Sequence, residues 1–155
     1  MKGPGLAGRR WIVGVTGGIA AYKTPTLVRR MRDAGAEVQV VMTRGAEAFI
    51  TALSLQAASG HRVHDTLLDQ EAEAGMGHIE LARWADVVLI APATADFMAR
   101  LAHGLADDLL TTLCLATTAP LLLAPAMNRQ MWANPATVTN RDLLEVRGVR
   151  MLGPG

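Results

Sequence analysis

The sequence is almost devoid of cysteine. Among its 155 residues Cys114 carries the single thiol, which excludes an intrachain disulfide framework and a zinc site built on cysteines and fits a reducing compartment. Apolar neighbours make Cys114 a buried, inert thiol rather than a nucleophile. Excess charge is lacking as well. Fifteen basic against fourteen acidic side chains leave a formal net charge of +1, without the broad positive field that nucleic acid or an anionic membrane surface demands. No metal site is expected: His61, His64 and His103 have no evident partners in the sequence. There is no internal repeat, low-complexity tract or interdomain linker. A continuous hydrophobic span is missing too. Leu109 to Met127 is uncharged, but Pro120 and Pro125 interrupt it, so a helix running into a buried strand is expected there rather than a membrane span. Arg9 and Arg10 ahead of WIVGV have the look of a twin-arginine export signal, yet the segment turns amphipathic at Lys23 and continues as a regular domain, so the expected location is cytoplasmic.

What is present is apolar material, half of all residues, enough for one core and one domain. Residues 1–9, with Gly3, Pro4, Gly5 and Gly8, are expected to be a flexible tail, and residues 10–155 the folded domain. Trp11 to Thr16, EVQVVMT, DVVLIAPA and PLLLAPA are apolar runs of the kind that form strands covered on both faces. Between them come an expected helix from Ile19 to Ala34, stopped by Gly35, and another from about Ala46 to Ala58. Gly60 to Gly77 reads as loop, HIELARWA as a helical piece, and DFMARLAHGLADDLLTTLCLATT as one helix or two divided at Gly104. A last helix is expected over Pro135 to Val146, with VRML as a terminal strand. The alternation predicts an α/β fold: a single doubly wound parallel sheet, Rossmann-like or flavodoxin-like, with helices on both faces and ligands beyond the carboxyl ends of its strands.

Gly17 and Gly18 sit between the first strand and its helix, where small residues let backbone N–H groups face an anion. A tight turn without a ligand is the plainer reading of these glycines alone, and the spacing is not that of the dinucleotide fingerprint. The second strand ends in Met42, Thr43 and Arg44, with no acidic group for the ribose hydroxyls of NAD. Arg44 is compatible with a 2′-phosphate, but a mononucleotide held by its one phosphate fits both observations, and FMN is the candidate.

Further polar groups stand at other element ends: His78 in GMGHIEL, Thr94 and Asp96 in APATADF, and Asn128 in PAMNRQMW. Singly, each has an ordinary explanation. His78 is a helix-start or surface residue, Asn128 a helix N-cap, Asp107 and Asp108 the acidic start of a helix, and Met127, Met131 and Trp132 core or oligomer contacts. In this order, with GLADDLL between the last two motifs, the stretches resemble the flavin-dependent cysteine decarboxylases. Within that family the resemblance is greatest to the branch acting on phosphopantothenoylcysteine in coenzyme A biosynthesis. It runs from Trp11 to Gly155, and GHIEL with PAMNRQMW is its most specific part.

The resemblance implies that Gly17, Gly18 and Ile19 line the phosphate and ribityl region of FMN, with Thr43 nearby, and that Thr94, Ala95, Asp96, Phe97 and Ala126 approach the flavin. The pattern departs at Asp96-Phe97, where many members have Asn-Thr. His78 matches the family's active-site histidine and Asn128 its substrate-carboxylate ligand, with Met131 also on the substrate. The implied reaction oxidises the thiol-bearing carbon, with FMN taking the hydride. The resulting thioaldehyde accepts the electrons as CO2 leaves, and reduced flavin converts the enethiol to the saturated thiol. An imidazole can act there as general base or stabilise charge. A neutral carboxamide orients the carboxylate without the full charge that would hold the ground state too well. Implied partners are a homotrimer with FMN at the subunit interface, dodecamers of such trimers, and a carboxy-terminal phosphopantothenate–cysteine ligase domain. The family's cysteine-bearing flap follows the asparagine motif, and this sequence ends at MLGPG, where the flap would begin. The expectation is therefore FMN binding with turnover stalled at the oxidised enethiol. A non-catalytic regulatory flavoprotein, a peptidyl-cysteine decarboxylase and a flavin prenyltransferase are the alternatives, the last not matched by GHIEL and PAMNRQMW.

Overall fold

After Arg10, every residue of RWIVGV is buried, so β1 (Arg10–Val15) is covered on both faces, as an interior parallel strand must be. The computed structural model describes residues 6–65 and 77–153. It places β1 beside β2 (Glu37–Met42) on one side and β3 (Val87–Ala93) on the other, followed by β4 (Leu121–Pro125) and β5 (Arg150–Met151). The strand order is β2-β1-β3-β4-β5 and all pairings are parallel, which is the doubly wound sheet that the alternation predicted and, of its two expected forms, the flavodoxin-like one. Because the chain leaves β1 for β2 on one side and then returns to β3 on the other, a crevice opens at the carboxyl ends of β1 and β3.

The two-residue period of the strands divides the core between the sheet's faces. Ile12, Val88, Ile90 and Leu123 pack with Leu81, Met98, Leu110, Leu113 and Leu144. Trp11, Val13, Val15, Leu89 and Leu122 pack with Val28, Met31 and Leu55. Cys114 is buried in the first cluster, as its neighbours predicted.

Several element boundaries differ from expectation. The segment after β1 is not one helix: Ile19–Lys23 forms a 3-10 turn, and α1 (Thr24–Asp33) starts only where Pro25 occupies its first turn. Pro25 has no N–H to donate to the carbonyl of Ala21, so an α-helical ladder cannot run through this point. The helix expected from Ala46 likewise resolves into a 3-10 turn, Gly45–Ala48, and α2 (Ala52–Ser59), whose start is fixed by Thr51 accepting from the Ser54 N–H at 3.1 Å. Next come α3 (His78–Trp84), then α4 (Ala95–Ala102) and α5 (Leu109–Ala116), two helices separated at Gly104, whose φ is +70°. The chain closes with α6 (Arg129–Ala133) and α7 (Pro135–Val146).

Of the expected tail, residues 6–9 are tied to the domain, since Gly8 donates to the Gly35 carbonyl at 2.9 Å and Glu37 to that of Arg9 at 2.9 Å; residues 1–5 lie outside the described part. Most of the loop expected over Gly60 to Gly77 also lies outside it. His64, given no role by the sequence, extends the sheet: its N–H donates to Val40 and its carbonyl accepts from Met42, while its ring meets Gln39 Oε1 at 2.8 Å. Among the described residues no helix is long and apolar enough to cross a membrane, and Leu109 to Met127 is divided between α5 and β4.

Candidate functional site

The tips of β1 and β3 are joined by Thr16, which is buried. Its hydroxyl donates to the Pro92 carbonyl and accepts from the Thr94 N–H at 3.2 Å. The turn that follows passes so close to the end of β2 that a Cβ on Gly17 would lie 2.8 Å from the backbone carbon and oxygen of Gly45; only glycine fits. A Cβ on Gly18 would have more room, its nearest neighbour being a Thr94 methyl at 3.5 Å. Thr43, leaving β2, donates to the Val15 carbonyl at 3.2 Å and accepts from the Ala46 N–H at 3.3 Å, which fixes that turn against β1.

On the other wall Thr94 caps α4 by accepting from the Phe97 N–H at 3.1 Å. Asp96 and Asp107 both bind Arg100, through Nε at 2.9 Å and Nη1 at 2.8 Å. The Asp96 hydrogen bond, then the two nearby charges, raises the guanidinium pKa above its ordinary value. Arg100 thereby links α4 to the loop carrying GLADD. Its spacing of four from Asp96 is legible as a helical ion pair, but the sequence gives no hint of Asp107 as second partner.

At the end of β4, Asn128 caps α6: the Met131 N–H donates to Asn128 Oδ1 at 2.8 Å. That bond needs an oxygen acceptor and so settles which way the carboxamide faces. The amide NH2, with two donors, remains for a ligand. The cap reading and the ligand reading of Asn128 are therefore compatible, one for each end of the same group.

These turns enclose one open cleft of about 1220 Å³, larger than the roughly 300–1,000 Å³ of most small-molecule pockets. Gly17, Gly18, Ile19, Thr43, Thr94, Ala95, Asp96, Phe97 and Ala126 all line it, together with Asn128 and Met131. His78 does not lie among the lining residues. It is the half-buried first residue of α3, which packs on α5. Lining residues that the sequence reading left without a part in the site include Lys23, Phe49 and Arg100. Ile19 and Tyr22, at the rim, are 77% and 62% exposed. No cluster of three or more potential metal ligands occurs among the described residues.

A parallel sheet with a glycine turn and a broad cleft at its switch point defines a flavodoxin-like α/β protein, and comparison with known proteins narrows the class. The family profile described as Flavoprotein matches residues 5–155: the chain belongs to the flavoprotein family. It is 60% identical over 149 residues to the Coenzyme A biosynthesis bifunctional protein CoaBC of Escherichia coli strain K12, a match covering 96% of this chain and 37% of that protein. The chain thus spans little more than a third of the length of that curated relative. Among solved structures it resembles the FMN-dependent cysteine decarboxylase SpaF, with 40% identity, a TM-score of 0.86, and coverage of 95% of this chain and 85% of the other. It also resembles a mutant PPC decarboxylase complexed with pantothenoylaminoethenethiol, with 35% identity, a TM-score of 0.81, and coverage of 95% and 82%. The cleft's residues fit the flavin that the family name implies: the glycine turn at Gly17 and Gly18, the cations Lys23 and Arg44, and the apolar Phe97, Ala126 and Met127 all line it.

Proposed function

We propose that this chain is the FMN-dependent decarboxylase of 4′-phosphopantothenoyl-L-cysteine, which yields 4′-phosphopantetheine in coenzyme A biosynthesis. The observation that carries the reading is the position of Asn128: a carboxamide with free N–H donors opens into the same cleft as the flavin-type strand tips. The identity to the coenzyme A protein and the likeness to the PPC decarboxylase structure support the substrate.

Gly17, Gly18, Ile19 and Thr43 hold the phosphate and ribityl part of FMN, and Thr94, Ala95, Asp96, Phe97 and Ala126 its ring. Bound there, FMN would supply hydride transfer from and back to the thiol-bearing carbon, the chemistry that makes loss of CO2 feasible. Asn128 donates to the substrate carboxylate and, being neutral, keeps it oriented while leaving it free to depart as CO2. Met131, beside it, covers the substrate. His78 moves a proton near the thiol or carboxylate. Because His78 is off the cleft of its own chain, it serves the cleft of a neighbouring copy in a homotrimer with FMN between subunits, and such trimers gather into dodecamers. The exposed Ile19, Tyr22, Phe49 and Met131 at the rim support that assembly. In the longer protein the domain is joined to a phosphopantothenate–cysteine ligase, as the bifunctional relative supports, and it works in the cytoplasm.

The test is spectroscopic. The purified protein should show a flavin spectrum that bleaches on addition of phosphopantothenoylcysteine, and His78→Asn should keep the flavin but abolish bleaching. A protein that takes up no flavin, or one bleached by a peptide ending in cysteine and not by phosphopantothenoylcysteine, contradicts the reading.

A further inference from the structure

The cleft is electrically lopsided. At the α4 end two carboxylates, Asp96 and Asp107, share the single guanidinium of Arg100 and leave one surplus negative charge. Asp108 adds a carboxylate that caps α5 through the Thr111 N–H at 2.8 Å. Lys23 and Arg44, which also line the cleft, follow β1 and β2, on the other side of the switch point from α4. Lys23 Nζ lies over the Tyr22 ring, 5.8 Å from its centroid. Arg44 is exposed and forms no ion pair or hydrogen bond through its side chain among the described residues. Its neighbour Gly45 is the backbone against which Gly17 is pressed, so the turn carrying Arg44 and the glycine turn meet at the mouth of the cleft. An anion entering is repelled from the α4 end and meets an uncompensated guanidinium at the other, whose planar fork of donors matches phosphate oxygens.

We propose that Arg44 is a specificity residue that reads a phosphomonoester at this end of the cleft, so that the site takes phosphorylated ligands in preference to their dephosphorylated forms. The inference rests on the flavin reading above, but nothing in the family match or in the relatives assigns Arg44. Two ligands of the proposed reaction carry a phosphomonoester, FMN and the substrate, and the test must tell them apart.

The full chain, freed of bound flavin, is titrated with FMN and with riboflavin by flavin fluorescence, as wild type, Arg44→Ala and Arg44→Lys, at two salt concentrations. A hydrogen-bonded charge pair of this kind corresponds to a change of about 10- to 100-fold in affinity. The expected result is a loss of that size for FMN in Arg44→Ala, with riboflavin changed by less than about twofold, weaker salt dependence, and partial retention in Arg44→Lys. Riboflavin binding also reports that the variant is folded. If the FMN to riboflavin ratio is unchanged, KM for phosphopantothenoylcysteine is compared with that for its dephosphorylated form in the FMN-loaded protein. A selective rise of the same size for the phosphorylated form supports Arg44 as the reader of the substrate's phosphate. If neither ratio moves, Arg44 is not a phosphate reader and the proposal is overturned while the flavin reading stands. If wild type binds neither flavin, the reading beneath it fails as well.

Discussion

On the proposed reading Asn128 does two things with one carboxamide, capping α6 and holding the substrate carboxylate, and the two can be separated by substitution. Its Oδ1 accepts from the Met131 N–H and its Nδ2 is left for a ligand. Asn128→Asp keeps an oxygen at the cap, where asparagine and aspartate are about equally good, but replaces the donor with a negative charge facing the substrate carboxylate. Asn128→Ala removes both. Cap loss costs about 0.5–2 kcal/mol in general, and the lower half of that range applies here, because Asn128 is exposed and α6 has only five residues. A domain of this size loses about 2–4 °C of Tm per kcal/mol. Alanine should therefore lower Tm by roughly 1–5 °C and aspartate by almost nothing. Activity should order the other way. A hydrogen bond to a charged group is worth about 1.5–3 kcal/mol, so alanine should lower kcat/KM about 10- to 100-fold, and aspartate, which adds like-charge repulsion, by more than alanine. The assays are thermal denaturation and the substrate-dependent bleaching of bound flavin, with flavin affinity measured in each variant. Full turnover by Asn128→Asp would refute the donor role, and equal loss of Tm in the two variants would refute the cap.

Three further predictions concern the frame. Gly17→Ala should destabilise by about 1–3 kcal/mol in urea denaturation and weaken flavin binding, since its Cβ meets Gly45 backbone at 2.8 Å, which has no side chain to swing aside; Gly18→Ala, with 3.5 Å to its nearest neighbour, should be tolerated. Burial raises the Cys114 thiol to about 12, so an alkylating reagent at pH 8 should label it only in the unfolded protein. The folded state holds that proton more tightly, so its contribution to stability is complete below the unfolded thiol's ordinary value and is lost as pH rises through the folded one. Burial, then the charge of His61, lowers the His64 pKa below its ordinary 6.5, with Asp65 opposing. The unfolded chain thus binds the proton more readily, and the contribution is complete above about pH 6.5 and lost on acidification. Urea denaturation from pH 8 to 5 should show falling stability, with a shallower slope in His64→Gln.

The sheet was legible because a parallel strand covered on both faces must be largely apolar: β3 and β4 carry no charge, and β1 and β2 carry one only at their first residue, Arg10 and Glu37. Helix starts were harder to read. Tyr22, Leu27 and Met31 have helical spacing, yet Tyr22 is exposed and belongs to the 3-10 turn, because spacing counts side chains whereas Pro25 limits the backbone hydrogen bonds. The position of His64 was illegible for a related reason. It is held by backbone pairing to β2, and that pairing leaves no mark in the residue type. Among candidate site residues, those at strand tips were legible because the switch point of such a sheet brings strand tips together whatever the loops contain. His78 begins a helix instead of ending a strand, so the switch point does not bring it to the cleft.

Three of the cleft's residues, Thr94, Asp108 and Asn128, are also helix caps, and this double use decides what each can still offer. A cap consumes an acceptor and leaves the donors. Asp108, ionised, has no donor to leave. Thr94 keeps one hydroxyl proton, whereas Asn128 keeps two N–H groups. Of these three caps, the one at the β4 tip therefore offers a carboxylate-bearing ligand the most donors. Replacing Asn128 with serine, which caps equally well but keeps only one proton, should preserve stability while leaving activity between those of wild type and Asn128→Ala.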